Sequence, residues 1–212
     1  MIVGVDAKVK ARTKGQQTTD RILNAAEPLF AAQGYEATSL RMIASAVGIR
    51  VPGIYNHFEN KRALYRAMLD RALMPMENAM REHLEHPDSG QAFASLPAVM
   101  TELLAEHPAM PALFLQALQG RDDGEGGAIM TEWLQKLFAS GMETTKSLGG
   151  TRLSREDMAL RIIAMFNLCC GYFLCQSAFA SMVGDQHKLD DDSILKKQKQ
   201  LLARVQLAIM LD

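Results

Sequence analysis

Apolar positions along the chain recur at intervals of three and four, the spacing of one face of an α-helix, and no run alternates at period two as a half-buried strand does. Ile22, Leu23, Ala26, Leu29 and Phe30 define a first helix over residues 19–33, with Thr18 as its candidate N-cap and Gly34 as its stop. Pro28 has no amide to offer the Asn24 carbonyl, which predicts a bend there. Leu40, Ile43, Ala44 and Val47 define a second helix of about two turns, opened by Thr38 and closed by Gly48. Pro52 suits the first turn of a third short helix whose apolar side is Ile54, Tyr55 and Phe58. Asn60 can cap a fourth, which carries Leu64, Ala67, Met68 and Leu73, kinks at Pro75 and ends before Pro87.

Beyond residue 90 the helical pattern continues, divided by Pro97, by Pro108 and Pro111, by Gly124 to Gly127 and by Gly149 and Gly150. A final helix, Ser193 to Met210, follows the acidic run Asp190 to Asp192, which favours a helix N-terminus through the macrodipole. The pattern is that of an all-α chain of about nine helices.

Composition narrows the class. With 212 residues, 48% of them hydrophobic and 22% charged, the chain is ordinary globular material, neither disordered nor collagen-like. Cys169, Cys170 and Cys175 are its only cysteines and lie too close together to staple distant parts of a secreted fold, so a reducing compartment is expected. The N-terminus carries charge from Asp6 through Arg12 and Lys14 and offers no apolar stretch of signal-peptide length. Ile162 to Val183 is free of charge and long enough to cross a bilayer. Asn167, Gln176, Ser177 and Ser181 interrupt it and no second such run exists, so it reads as a buried helix in a subunit interface, with no membrane as partner.

The net charge of -1 suggests at first no strongly charged partner. Divided at residue 62, however, it becomes nine Lys and Arg against five Asp and Glu in the head, and 14 against 19 in the remainder, so a +4 head sits on a -5 body. The head also has the proportions of a helix-turn-helix, with Gly48 able to take the left-handed conformation a tight turn needs. In its second helix Ile54 and Phe58 face inward, while Arg50, Tyr55, Asn56 and His57 offer hydrogen-bonding groups suited to phosphates and base edges. Lys61 lies near the free amides of the fourth helix, where a phosphate can meet both, and Lys8, Lys10, Arg12 and Lys14 form a basic arm ahead of the domain.

Over residues 22–69 the chain resembles the TetR/AcrR family of bacterial transcriptional regulators. Three parts carry the resemblance: Phe30 to Ser39 (F-x-x-x-G-Y-x-x-T-S), Ile43 to Gly48 (I-A-x-x-x-G) and Tyr55 to Lys61 (Y-x-H-F-x-x-K). It implies a helix-turn-helix DNA-binding domain, residues 1–62, joined to a helical ligand-binding and dimerisation domain, residues 63–212. It further implies that Thr38 caps the second helix and touches a phosphate, with Ser39 beside it, that the helix from Val51 to His57 enters the major groove, and that Tyr55, His57 and Lys61 hold the backbone. Two departures matter: Arg50 replaces a frequent capping Ser, and Pro52 and Gly53 replace bulkier polar residues. Base reading then falls to Arg50, Val51, Pro52 and Asn56, with apolar contact to thymine methyls.

The remainder carries no specific motif, and the resemblance implies an effector pocket without naming the effector. Met100, Leu103, Phe114, Leu118, Met130, Trp133, Phe138, Met142, Phe166 and Phe173 fall on apolar faces and are candidate lining, although an ordinary core would look the same. Ile162 to Val183 and the last helix are the candidate dimer interface, two copies forming a four-helix bundle. Without an adjacent cation in sequence, the cysteines read as structural thiols rather than redox sensors. His83 and His86 share a helix face but lack a third metal ligand, and Arg121 to Gly127 lacks a P-loop Lys-Ser/Thr and reads as a loop. No catalytic constellation or cofactor motif stands out. The expectation is a cytoplasmic homodimeric repressor, released from double-stranded DNA by a small hydrophobic or amphipathic effector; the alternative is an all-α enzyme or carrier that uses the helix-turn-helix as scaffold.

Overall fold

The structure, a computed structural model, describes residues 13–85, 90–120, 124–147, 154–184 and 192–211. Ten helices and no strand occur among the described residues: α1 Lys14–Ala37, α2 Leu40–Val47, α3 Val51–Tyr55, α4 Lys61–Glu85, α5 Gly90–Glu106, α6 Met110–Leu118, α7 Glu125–Ser147, α8 Arg155–Leu174, α9 Gln176–Val183 and α10 Asp192–Leu211.

Helix α1 starts earlier than the apolar period predicts, because Thr13 and Gln16 close a capping box. The Thr13 hydroxyl accepts from the Gln16 amide at 3.2 Å and the Gln16 side chain accepts from the Thr13 amide at 2.9 Å. Thr18, the predicted cap, lies inside the helix with its hydroxyl donating to the Lys14 carbonyl. Nor does the interruption fall at Pro28. Pro28 and Asn24 both lie on the exposed side, where water can take the orphaned carbonyl, and the residue inside α1 with non-helical dihedrals is Gly34, at φ 81° and ψ 169°. That glycine turns the chain and sends Tyr35 into the core, 2% exposed.

Helix α2 is capped by Ser39, whose hydroxyl accepts from the Met42 amide at 3.2 Å. Thr38, expected to do this, is fully buried and donates instead to the Gly34 carbonyl at 2.8 Å and the Leu29 carbonyl at 3.2 Å, locking the break in α1. Gly48 ends α2 in the left-handed region at φ 76°, as predicted, and its amide returns to the Ala44 and Ser45 carbonyls. Asn60 opens α4 by accepting from the Ala63 amide at 2.8 Å.

In the body two punctuation signals are overridden. Helix α5 runs through Pro97, whose carbonyl accepts from the Thr101 hydroxyl at 2.8 Å, so Pro97 does not divide it. Helix α7 begins at Glu125 and includes the buried Gly126 and Gly127, so the predicted loop at 121–127 is already helical at its end. Conversely, the uncharged run is two helices, because Cys175, at φ -103° and ψ 21°, separates α8 from α9. Gly149, Gly150, Asp190 and Asp191 lie outside the described residues.

One apolar core runs from Ile22 to Leu202. Helix α4 carries it across the predicted boundary at residue 62: Leu64 and Tyr65 pack in the head, while α4 also packs along α5 and α7. Helix α1 packs on α2, α4, α6 and α7, so the head rests directly on the body. Cys169 and Cys170 are buried, and desolvation pushes the Cys169 thiol up to about 11 and the Cys170 thiol further still. They are therefore held as thiols, with Cys169 Sγ 3.7 Å from the Pro97 carbonyl oxygen.

Two outcomes follow. Ser39→Ala should cost about 1 kcal/mol in urea unfolding through loss of the cap. The unfolded chain ionises its thiols near their ordinary 9.0 while the folded chain holds Cys169 protonated to about 11, so the folded state binds more protons over that window and stability falls as pH rises through it. Unfolding free energies measured from pH 9 to 11 should drop, by on the order of 2 kcal/mol for this thiol, and Cys169→Ala should flatten the drop.

Candidate nucleic-acid interface

The buried side of the α2–α3 corner is fully used by packing. Ile43, Ala44 and Val47 of α2 and Ile54 and Phe58 at α3 enter the core, and Arg21 of α1 closes the end of α2 by donating to the Val47 carbonyl at 2.6 Å. With those side chains fixed inward, the 3.6-residue period leaves Arg50, Pro52, Tyr55 and Asn56 outside. Tyr55 is 55% exposed. Arg50 is the N-cap of α3; a guanidinium has no acceptor with which to cap a helix, and its side chain is exposed. Val51 and Gly53 are half-buried beside them, and a Cβ on Gly53 would sit 3.5 Å from the Ile49 side chain, an ordinary contact.

His57 is tied to α1. Its Nδ1 lies 2.9 Å from Thr19 Oγ1, and the Thr19 hydroxyl donates to the Gly15 carbonyl at 3.1 Å. The Nδ1 edge of His57 is thus taken up by the fold whichever tautomer it adopts, and its Nε2 edge is not part of that bond. Lys61 is committed inward as well. Its ammonium donates to the Tyr35 carbonyl at 2.9 Å and the Glu36 carbonyl at 3.4 Å and stands 4.2 Å from the centre of the Tyr35 ring. The expected phosphate contact of Lys61 is thus preceded by a structural one that clamps the end of α1. Thr38 cannot touch a phosphate at all, since its hydroxyl is buried and bonded.

Ser39 is exposed at the α2 N-terminus, where free amides favour an anion. Arg41, exposed in the first turn of α2, is a cation that the motif reading missed; its signal was its place as the one charged residue of α2. Lys14 is exposed at the start of α1, whereas Lys8, Lys10 and Arg12 lie outside the described residues.

In the body, Phe114, Phe138 and Phe166 meet, with ring centres 5.5 Å apart for Phe114 and Phe166 and 5.3 Å for Phe138 and Phe166. Met100, Leu103 and Phe173 are half-buried against the core, Met142 is half-buried, and Met130 and Trp133 are buried within the core. Leu118 is 53% exposed, so it faces outward from this cluster, and Met165, which the sequence reading passed over, packs against the core instead. The His83 and His86 side chains lie outside the described residues.

Within the single chain α8 is only partly covered: Leu160, Ile163, Leu168 and Leu174 are exposed, as are Met182 and Val183 of α9 and Leu201 of α10. Among the described residues α8 is the one helix long and apolar enough to cross a membrane by length and composition, with 17% of its apolar window buried.

Comparison with known proteins matches the head in sequence and the chain in fold. The profile of bacterial regulatory proteins of the tetR family matches residues 22–68. The HTH-type transcriptional repressor ComR of Escherichia coli is 48% identical over 52 residues, covering 24% of this chain and 25% of that protein. The chain thus spans far less than two thirds of the curated relatives it matches. Whole-chain likeness is structural. AmtR of Mycobacterium smegmatis superposes with a TM-score of 0.63 at 21% identity, covering 95% of this chain and 88% of that one. The regulator FadR of Bacillus subtilis, solved with stearoyl-CoA, gives 0.56 at 18% identity, covering 87% and 97%.

Because Lys61 holds the end of α1, Lys61→Met should lower the unfolding free energy by about 1–2 kcal/mol in urea, with Arg50→Ala close to neutral in the same assay.

Proposed function

We propose that this chain, whose N-terminal head belongs to the TetR family of bacterial regulatory proteins, is a cytoplasmic transcriptional repressor that binds a palindromic operator as a homodimer and leaves it when a small hydrophobic effector enters the body. The observation that carries the reading is a division of labour at the α2–α3 corner. Thr38, His57, Lys61 and Arg21 are bonded inside the fold, whereas Arg50, Tyr55 and Asn56 are exposed with their polar groups available.

On a duplex, α3 enters the major groove. Arg50 and Asn56 then address base edges, an Arg preferring the O6 and N7 of guanine and an Asn the N6 and N7 of adenine, while Val51, Pro52 and the backbone of Gly53 pack against thymine methyls. Ser39, the α2 amides, Arg41, Tyr55 and the Nε2 edge of His57 hold phosphates and set the register. The relatives matched in this region carry the names of regulators and repressors rather than enzymes.

The exposed apolar strip on α8, α9 and α10 is the surface for the second copy. Helices α8 and α10 pack side by side, so two protomers bring four helices together and cover side chains that water would otherwise wet. The effector is assigned to the surroundings of Phe114, Phe138 and Phe166, whose rings and neighbouring methionines suit an acyl chain or a similar apolar body. That a regulator of this fold was solved with stearoyl-CoA supports the assignment. By linkage, effector and DNA must weaken each other's binding by one factor.

Full-length protein offered a pool of random duplexes should retain two-fold symmetric sites, which then shift in a gel; retention of no sequence above background overturns the reading. Asn56→Ala should alter base preference by about 1–3 kcal/mol at one position per half-site. Ile163→Glu should convert dimer to monomer in sedimentation, because it sets a carboxylate into the apolar strip.

A further inference from the structure

Among the described residues, Glu27 is the one charged residue in the buried class, 6% exposed. It lies on α1 and meets two other elements. His107, in the corner between α5 and α6, places Nδ1 2.7 Å from Glu27 Oε2, and Arg71 of α4 places a guanidinium nitrogen 3.8 Å from the same oxygen. Arg71 also reaches the Asp20 carbonyl of α1 at 3.5 Å. His107 is itself fixed by the backbone, its amide bonding the Leu104 carbonyl and its carbonyl accepting from the Met110 amide, each at 3.0 Å. Two further polar contacts lie along the same seam: Gln116 of α6 donates to the Ala31 carbonyl at 2.7 Å, and the Tyr35 hydroxyl donates to Glu125 at the start of α7, also at 2.7 Å.

A buried ion pair is a poor device for stability, since apolar residues of similar size serve as well or better. What it does supply is geometry. Apolar surfaces slide against one another at little cost, whereas a buried carboxylate displaced from its donors is left without compensation, so the contact is held in one register or broken. Here that register joins the helix carrying the head to the corner leading into α6, which bears Phe114 of the aromatic cluster.

We infer that Glu27, His107 and Arg71 form a latch that fixes the angle of the DNA-binding head on the body and forces the head to follow any displacement of the α5–α6 corner. The inference rests on the function proposed above. The three are positioning residues: none touches DNA or effector, and their role is read in the spacing of the two heads. A dimer whose heads are rigidly set accepts one separation of half-sites, and a dimer whose heads pivot accepts several.

The test compares the wild-type full-length protein with the double variant Glu27→Met/His107→Leu and with Glu27→Gln alone. The probe is the duplex the wild type selects from a random pool, together with versions whose half-site separation is longer or shorter by about one base pair. The wild type should lose about tenfold or more in affinity on the altered spacers. The double variant should keep its helical content and melting temperature, bind the original duplex about tenfold more weakly and discriminate little among spacers. Glu27→Gln, which keeps the shape and removes the charge, should fall between them. Unchanged spacer discrimination in a folded double variant overturns the latch alone. Where the double variant fails to fold, Glu27→Gln decides on the same spacers, and wild-type discrimination in that variant overturns the latch. A wild type that selects no duplex removes the latch together with the function on which it rests.

Discussion

The outward face of the head depends on the burial of Tyr35. Gly34 breaks the first helix with a backbone conformation that other residues adopt only under strain, and the ring of Tyr35 turns into a cluster with Phe30 and Tyr65, at centre-to-centre distances of 5.9 and 5.0 Å. Thr38 ties the break from beneath and Lys61 covers the ring from above while holding its carbonyl. The hydroxyl reaches Glu125 of the body, and desolvation by burial, reinforced by that bond, raises the phenol well above its ordinary value and keeps it a donor. One side chain thus seats the end of α1, the start of α4 and the start of α7, and α2 and α3 are positioned by what remains.

This arrangement explains why the motif around residues 30–61 was legible. Several of its letters are residues whose chemistry is consumed inside the fold: a glycine for the break, an aromatic ring for the cluster, a hydroxyl for two carbonyls and an ammonium for a helix end. The same fact explains what was misread. Thr38 and Ser39 are adjacent capping residues, and only tertiary packing decides that the first is buried and the second caps. Thr13, with Gln16 three residues on, carries a capping-box spacing that outweighs the apolar period beginning at Ile22. Pro97, Gly126 and Gly127 are helix breakers by propensity, but α5 and α7 are stabilised by the core they cover. Arg41 lies outside the motif and was visible only as a cation on a two-turn helix.

The body shows a complementary limit. Periodicity identifies apolar faces but not what covers them, so the same reading gave Phe114 in the interior, Leu118 on the surface and Ile163 on an exposed strip. Charge free of partners on the head and apolar surface free of partners on α8 to α10 are two incomplete surfaces, and they call for partners of opposite character: a polyanion for one and a second apolar face for the other. The near-neutral total charge conceals both.

The central claim, that the head binds duplex DNA through cations the fold leaves unspent, is most directly tested by fluorescence-anisotropy titration of a labelled selected duplex over a series of salt concentrations. Each phosphate neutralised by Arg, Lys or imidazolium releases condensed counterion, so the logarithm of affinity should fall linearly with the logarithm of salt, with a slope of several units that shrinks by about one in Arg41→Ala. An affinity indifferent to salt, or a slope untouched by the loss of the exposed cations on α2 and α3, would contradict the account.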